Sequence, residues 1–164
     1  MSDKREINEE YAMIAADLIN NSPYLESLRV SKATIIYLSS HQKKTSKGKI
    51  VCAECERVPE KYKWGIPCDF TITVFEPNIE KMTHDQIKIL LYHELLHVGI
   101  ELDSNTGDET YSVRPHDLED FKLIITLFGT EWARIKDDAG ELPNISDYPF
   151  PEVLENEESE EGEE

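Results

Sequence analysis

The residues able to do chemistry are concentrated in one pentapeptide, His93-Glu94-Leu95-Leu96-His97. On a helix, residues four apart lie on one face, one turn apart. Two neutral imidazoles at that spacing can bind one zinc ion, and the carboxylate beside the first is placed to activate a water on the metal. The chemistry this predicts is metal-assisted hydrolysis. Zinc lowers the pKa of its water from near 16 towards about 7 and polarises a carbonyl. Glu94 takes the proton and passes it to the leaving amine.

That geometry requires a packed helix. Ile87 to Ile100 reads Ile-Lys-Ile-Leu-Leu-Tyr-His-Glu-Leu-Leu-His-Val-Gly-Ile, apolar on nearly every side, as a buried helix is. Polar groups in its middle are costly without partners, and a metal gives His93, Glu94 and His97 one. Thr83 with Gln86 three residues on makes a capping box at the helix start.

Taken in order, the chain opens with an amphipathic helix over 4–21, closed by Asn20-Asn21-Ser22-Pro23. Residues 33–39 read as a β-branched strand. The polar stretch His41–Lys49, with four Lys, reads as a hairpin loop, and 49–57 as the strand that returns. Asp69–Phe75 alternates cleanly and is the clearest strand. After Gly99 the sequence predicts a polar loop to Thr110. Pro115 then opens a helix from His116 to Leu127, closed by Gly129. The fold class is α+β, with an N-terminal helix, a small three-stranded, mostly antiparallel sheet, the His-Glu helix and a C-terminal helix.

A catalytic zinc takes three protein ligands and leaves a position for water. Three residues compete for the third place. Asp103 fits the spacing of a longer motif, whose glycine belongs at position 100; here position 100 is Ile and the glycine stands at 99. Glu101 lies one turn beyond His97 if the helix persists. His116 is the one His downstream, and Asp117, Glu119 and Asp120 follow it closely. A carboxylate such as Asp117 or Asp120 is what a metal-bound imidazole needs to fix its tautomer. The blander reading of His116 is a surface residue at a helix start. Tyr111 and Arg114 are the nearest candidate donors for a tetrahedral oxyanion.

The segment Asp69–Trp132 resembles the phage metallopeptidase family, and is more distantly similar to SprT-like zinc peptidases. The likeness rests on the strand Asp69–Phe75 followed by Glu-Pro, on Tyr-His-Glu-Leu-Leu-His, and on Arg114-Pro-His-Asp-Leu-Glu-Asp-Phe121. It extends more loosely to 49–67. It implies a minimal zincin-like fold, His93, His97 and His116 as zinc ligands and Glu94 as catalytic base, and it offers no substrate; the His-Glu chemistry itself predicts a peptide or protein substrate, and the single His cluster one zinc per chain. The resemblance gives the cysteines no metal role. Cys52 and Cys55 form a C-x-x-C, but only Cys68 remains to join them, and residues three apart in a strand face opposite ways. Ordinary packing is the expected use of all three.

At this length, residues 1–150 suffice for a single domain with its own core. Residues 151–164 hold eight Glu and no Lys or Arg, and are expected to form a disordered acidic tail. The formal net charge of −17 argues against general nucleic-acid binding, because phosphate would be repelled. There is no run of 18 apolar residues to span a membrane. The polar N-terminus is unlike a secretory signal, and three Cys fit a reducing compartment, so a cytoplasmic location is expected. Two other classes remain open. One is a non-catalytic module stapled by zinc. The other is an acidic partner protein that mimics nucleic acid.

Overall fold

The computed structural model describes residues 3–116 and 122–128. Its central element is the strand that the sequence marks most clearly. In a four-stranded sheet of order β1-β2-β6-β5, β6 (Phe70–Phe75) lies inside, and Phe70, Ile72 and Val74 are fully buried. To one side it pairs in parallel with β2 (Ile35–Ser40), and to the other antiparallel with β5 (Ala53–Arg57). The short β1 (Arg5–Ile7) closes the far side of β2, antiparallel.

The sheet has four strands where the sequence predicts three, because residues 5–7 join β2 as an edge strand, and its order differs as well. Residues 53–57 do not return along β2; β6 is inserted between them. The reason is burial. β6 is apolar enough to be flanked on both sides, whereas β5 reads Ala-Glu-Cys-Glu-Arg and tolerates an edge. The polar stretch before β5 forms its own small hairpin, β3 (Thr45–Ser46) against β4 (Lys49–Ile50). Lys47 and Gly48 take positive φ values of 50° and 76°, the turn geometry that matches strand twist.

The N-terminal helix α1 is shorter than its pattern suggested, Glu9–Asn21, because residues 5–7 are drawn into the sheet. Asn8 marks the change and caps the helix with its side chain on the Tyr11 N–H. A short helix α2 (Glu26–Val30) follows. Helix α3 (Glu76–Ile79) turns the chain after β6, and α4 (His84–Leu96) starts at Thr83 with the complete capping box. Helices α1 and α4 pack together and share the core with β6.

Two buried polar contacts fix how these helices sit. Tyr11 and Ser39 both donate to Glu76 Oε1, at 2.6 and 2.8 Å, joining α1, β2 and α3. Ser22 and Tyr92 hydroxyls lie 2.6 Å apart in the core, tying the end of α1 to the residue before His93. Helix α4 fully buries Leu91 and Tyr92 and nearly buries Leu90 and Leu95. At about 1.5–3 kcal/mol per large apolar side chain, that packing holds the helix in place.

After α4 the structure departs from the sequence reading again. Of the loop expected after Gly99, only residues 103–108 lie outside strands. Strand β7 (Val98–Leu102) pairs antiparallel with β8 (Glu109–Val113), with a turn around Gly107 at φ 75°. Residues 114–116 are neither helix nor strand, and 117–121, over which the sequence continues its helix from His116, lie outside the described residues. Helix α5 is described over Lys122–Phe128, and its Phe128 ring meets Tyr92 edge-on at 6.3 Å. Gly129, Trp132 and the acidic tail lie outside the described residues, as does the division at 150. No helix among the described residues is long and apolar enough to cross a membrane.

Candidate metal centre

Helix α4 ends where the histidines begin to matter. His93 lies in its last turn, and His97 is its C-cap with right-handed helical φ and ψ. The chain then leaves as β7, returns as β8, and arrives back beside its starting point. The hairpin ladder extends one rung beyond its strands. The Arg114 N–H donates to the His97 carbonyl at 2.6 Å, and the Arg114 carbonyl lies 2.6 Å from His97 Nδ1. Two residues past that rung stands His116.

The hairpin therefore brings the third imidazole to the other two. His93 Nε2 and His116 Nε2 are 2.9 Å apart, and the ring centroids are separated by 5.2, 4.8 and 4.4 Å. One nitrogen from each of the three rings lies within 4.8 Å of the others. Three imidazoles that close could hold one metal ion. Two Zn–N bonds of about 2.0–2.1 Å at a tetrahedral angle put their nitrogens about 3.3–3.4 Å apart, half an ångström from what His93 and His116 show. Two ring nitrogens at 2.9 Å must otherwise share a proton, since two facing lone pairs repel.

His97 adds a tautomeric argument. A backbone carbonyl can only accept, so its contact with Arg114 puts the proton on Nδ1. The Nε2 lone pair is then left for a metal, which is how a carbonyl orients a ligating imidazole.

The other third-ligand candidates are carried away by the same hairpin. Glu101 lies four residues along β7 from His97, roughly 13 Å at strand rise, and Asp103 six residues, roughly 20 Å. Asp103 has a local use: its Oδ1 accepts from the Asn105 and Thr106 N–H groups in the turn. The Tyr111 hydroxyl donates to Glu109 at 2.6 Å, which with burial pushes its pKa up to about 12. Its ring meets Phe70 at 5.7 Å. Asp117 and Asp120 lie outside the described residues.

Glu94 is 4% exposed and lies on the side of α4 that faces β5. Burial, and then the nearby Glu94 charge, push the Cys55 thiol up to about 12 and raise Cys52 as well. Cys55 lies within β5, Cys52 just before it, and Cys68 is buried ahead of β6. With a pKa near 12, about one Cys55 in ten thousand is thiolate at pH 8. Native protein is therefore expected to react with a disulfide reagent at Cys55 far more slowly than denatured protein. Equal rates in the two states would show that the strand opens freely.

The close approach of β7 to β8 depends on Gly99. A Cβ there would lie 2.6 Å from Ser112 Oγ and 3.0 Å from the Ser112 carbonyl oxygen. Gly99→Ala is expected to cost about 1–3 kcal/mol by overpacking and to weaken metal binding, because the shifted hairpin carries Arg114 and His116. The measurements are melting temperature and metal titration. In a Ser112→Ala background the same change should cost less, and an equal cost would place the strain elsewhere.

What the sequence reading missed is the hairpin itself. Val98-Gly-Ile-Glu-Leu102 and Glu109-Thr-Tyr-Ser-Val113 flank a turn-rich Asp-Ser-Asn-Thr-Gly-Asp, a signal present in the residues.

Residues 3–140 match the sequence model of a family described as "Putative phage metallopeptidase". No curated protein and no solved structure matches the chain.

Proposed function

The chain belongs to the phage metallopeptidase family, and from that premise we propose that it is a zinc-dependent peptidase with His93, His97 and His116 as ligands and Glu94 as general base. The observation that supports this most is the convergence of three imidazole nitrogens, two of them supplied by the helix that also carries the buried Glu94 carboxylate. Zinc is the metal that best suits three neutral imidazoles with a position left for water. Bound there, it would acidify a water and polarise the scissile carbonyl.

The chain's own groups do the rest. Glu94, in a nearly dry position, accepts the proton of the attacking water and delivers it to the leaving amine. His97, oriented by the Arg114 carbonyl, cannot swing away. Of the two candidate donors to the developing oxyanion, Arg114 stands two residues from His116 in the chain, whereas the Tyr111 hydroxyl is engaged by Glu109.

Strand β5 offers the substrate a rail. It is the last strand of its sheet among the described residues, and it packs against α4. The Phe75 N–H bonds the Cys52 carbonyl, and the Val58 N–H bonds the Asp69 carbonyl. That phase turns the even-numbered residues of β5 towards β6. The N–H and C=O groups of Ala53, Cys55 and Arg57 therefore point to the open edge, where an extended peptide can pair.

The test is hydrolysis of a broad peptide mixture by purified protein. Activity should disappear with a chelator, return with zinc, and fail to return in Glu94→Gln. Hydrolysis that persists through exhaustive chelation would overturn the proposal.

A further inference from the structure

At the Ala53 end of β5 the open edge runs into a cavity of about 570 Å³, within the range of small-ligand pockets. Its lining is mostly apolar, with Ile50, Cys52, Pro77 and Met82 among the lining residues together with Lys43 and Lys81. Ile50 is 69% exposed, a large apolar side chain left in the open beside the cavity. The wall is anchored. Asn78 donates through Nδ2 to the Lys44 and Val51 carbonyls, at 2.9 and 2.8 Å, and so fixes the β3–β4 hairpin against α3.

The charge here opposes that of the rest of the molecule. The segment 41–53 holds four of the chain's 17 basic residues and none of its 34 acidic ones. Lys81, in the lining, adds a fifth cation. Glu80 also lines the cavity but leaves its lining net positive. Lys44 is held by Glu54, and Lys43 and Lys81, which line the cavity, set the field around the opening.

We propose that this groove is a specificity subsite that selects peptide substrates carrying an apolar side chain flanked by carboxylates. The inference rests on the peptidase reading and adds the substrate class. Cys52, which lines the groove, directly precedes the strand that would pair with substrate, and the Glu94 carboxylate acts on both Cys52 and Cys55. A peptide lying along β5 therefore reaches the groove within a few residues of the scissile bond. The apolar lining takes a side chain of Leu or Met size. The lysines pair with the acidic neighbours, and their attraction also offsets the repulsion that an acidic protein exerts on an acidic peptide.

The experiment compares kcat/KM for short peptides that differ only in whether a central Leu is flanked by Glu or by Gln. Wild type should favour the Glu peptide about fivefold, the sum of two exposed ion pairs of ordinary strength. Lys43→Glu/Lys81→Glu should invert that ratio and Lys43→Gln/Lys81→Gln should bring it to about one. A ratio near one in wild type, or one unmoved by charge reversal, overturns the subsite while leaving the peptidase reading intact. A second arm measures binding of the fluorescein-labelled Glu peptide to Glu94→Gln by anisotropy. If wild type hydrolyses nothing but this binding is present and lost on charge reversal, the groove stands and the peptidase reading falls. Binding that appears only when residues 151–164 are removed would assign the groove to the chain's own acidic tail and overturn the substrate reading.

Discussion

His116→Ala is expected to lower zinc affinity by about two to four orders of magnitude. A structural zinc site is worth about 10–16 kcal/mol, so one of three protein ligands accounts for roughly 3–5 kcal/mol. Wild type should bind one zinc per chain. The same loss should appear in stability, because metal bound only by the native state stabilises it. The gain in melting temperature on adding zinc should therefore be clearly smaller in His116→Ala at the same zinc concentration, while the metal-free proteins melt close together, since His116 is exposed. Asp103→Ala and Glu101→Ala should keep zinc, because the hairpin holds both residues far from His97. A competition titration against a chromogenic chelator decides it. If Asp103→Ala or Glu101→Ala loses the metal while His116→Ala retains it, the ligand set is wrong.

His116 also shows where sequence reading succeeds and where it stops. Spacing alone makes His93 and His97 a pair, because a helix fixes which residues share a face. Thr83 and Gln86 likewise mark the helix start, since capping is local. The alternation of residues 69–75 announces the central strand. The position of His116 is not local. It depends on the pairing of β7 with β8, on the absence of a side chain at Gly99, and on the rung between His97 and Arg114. A run of apolar residues continuing past His97 looks the same whether the helix persists or a strand begins. Tertiary pairing decides between them. The place of β5 was hidden for a similar reason. Adjacent strands in sequence pair often, but not when a later strand buries more by lying between them.

Glu94→Gln is the complementary change, expected to leave the metal and remove the chemistry. Gln matches Glu in shape, so the packing of this nearly buried side chain is conserved, and none of the three imidazoles is altered. A carboxamide cannot accept the water proton. The loss in kcat should be about 10²–10⁴-fold, the range supplied by a positioned general base. Zinc stoichiometry should stay at one. The variant carries its own internal control, because the Glu94 charge contributes to the raised Cys55 thiol. Removing that charge should lower the Cys55 pKa and speed its reaction with a disulfide reagent, modestly, since burial is the larger cause. A non-catalytic zinc staple predicts the same stoichiometry and thiol change but no hydrolysis in wild type to lose. Retention of wild-type turnover in Glu94→Gln, with the thiol shift confirming the substitution, would mean that another group moves the proton.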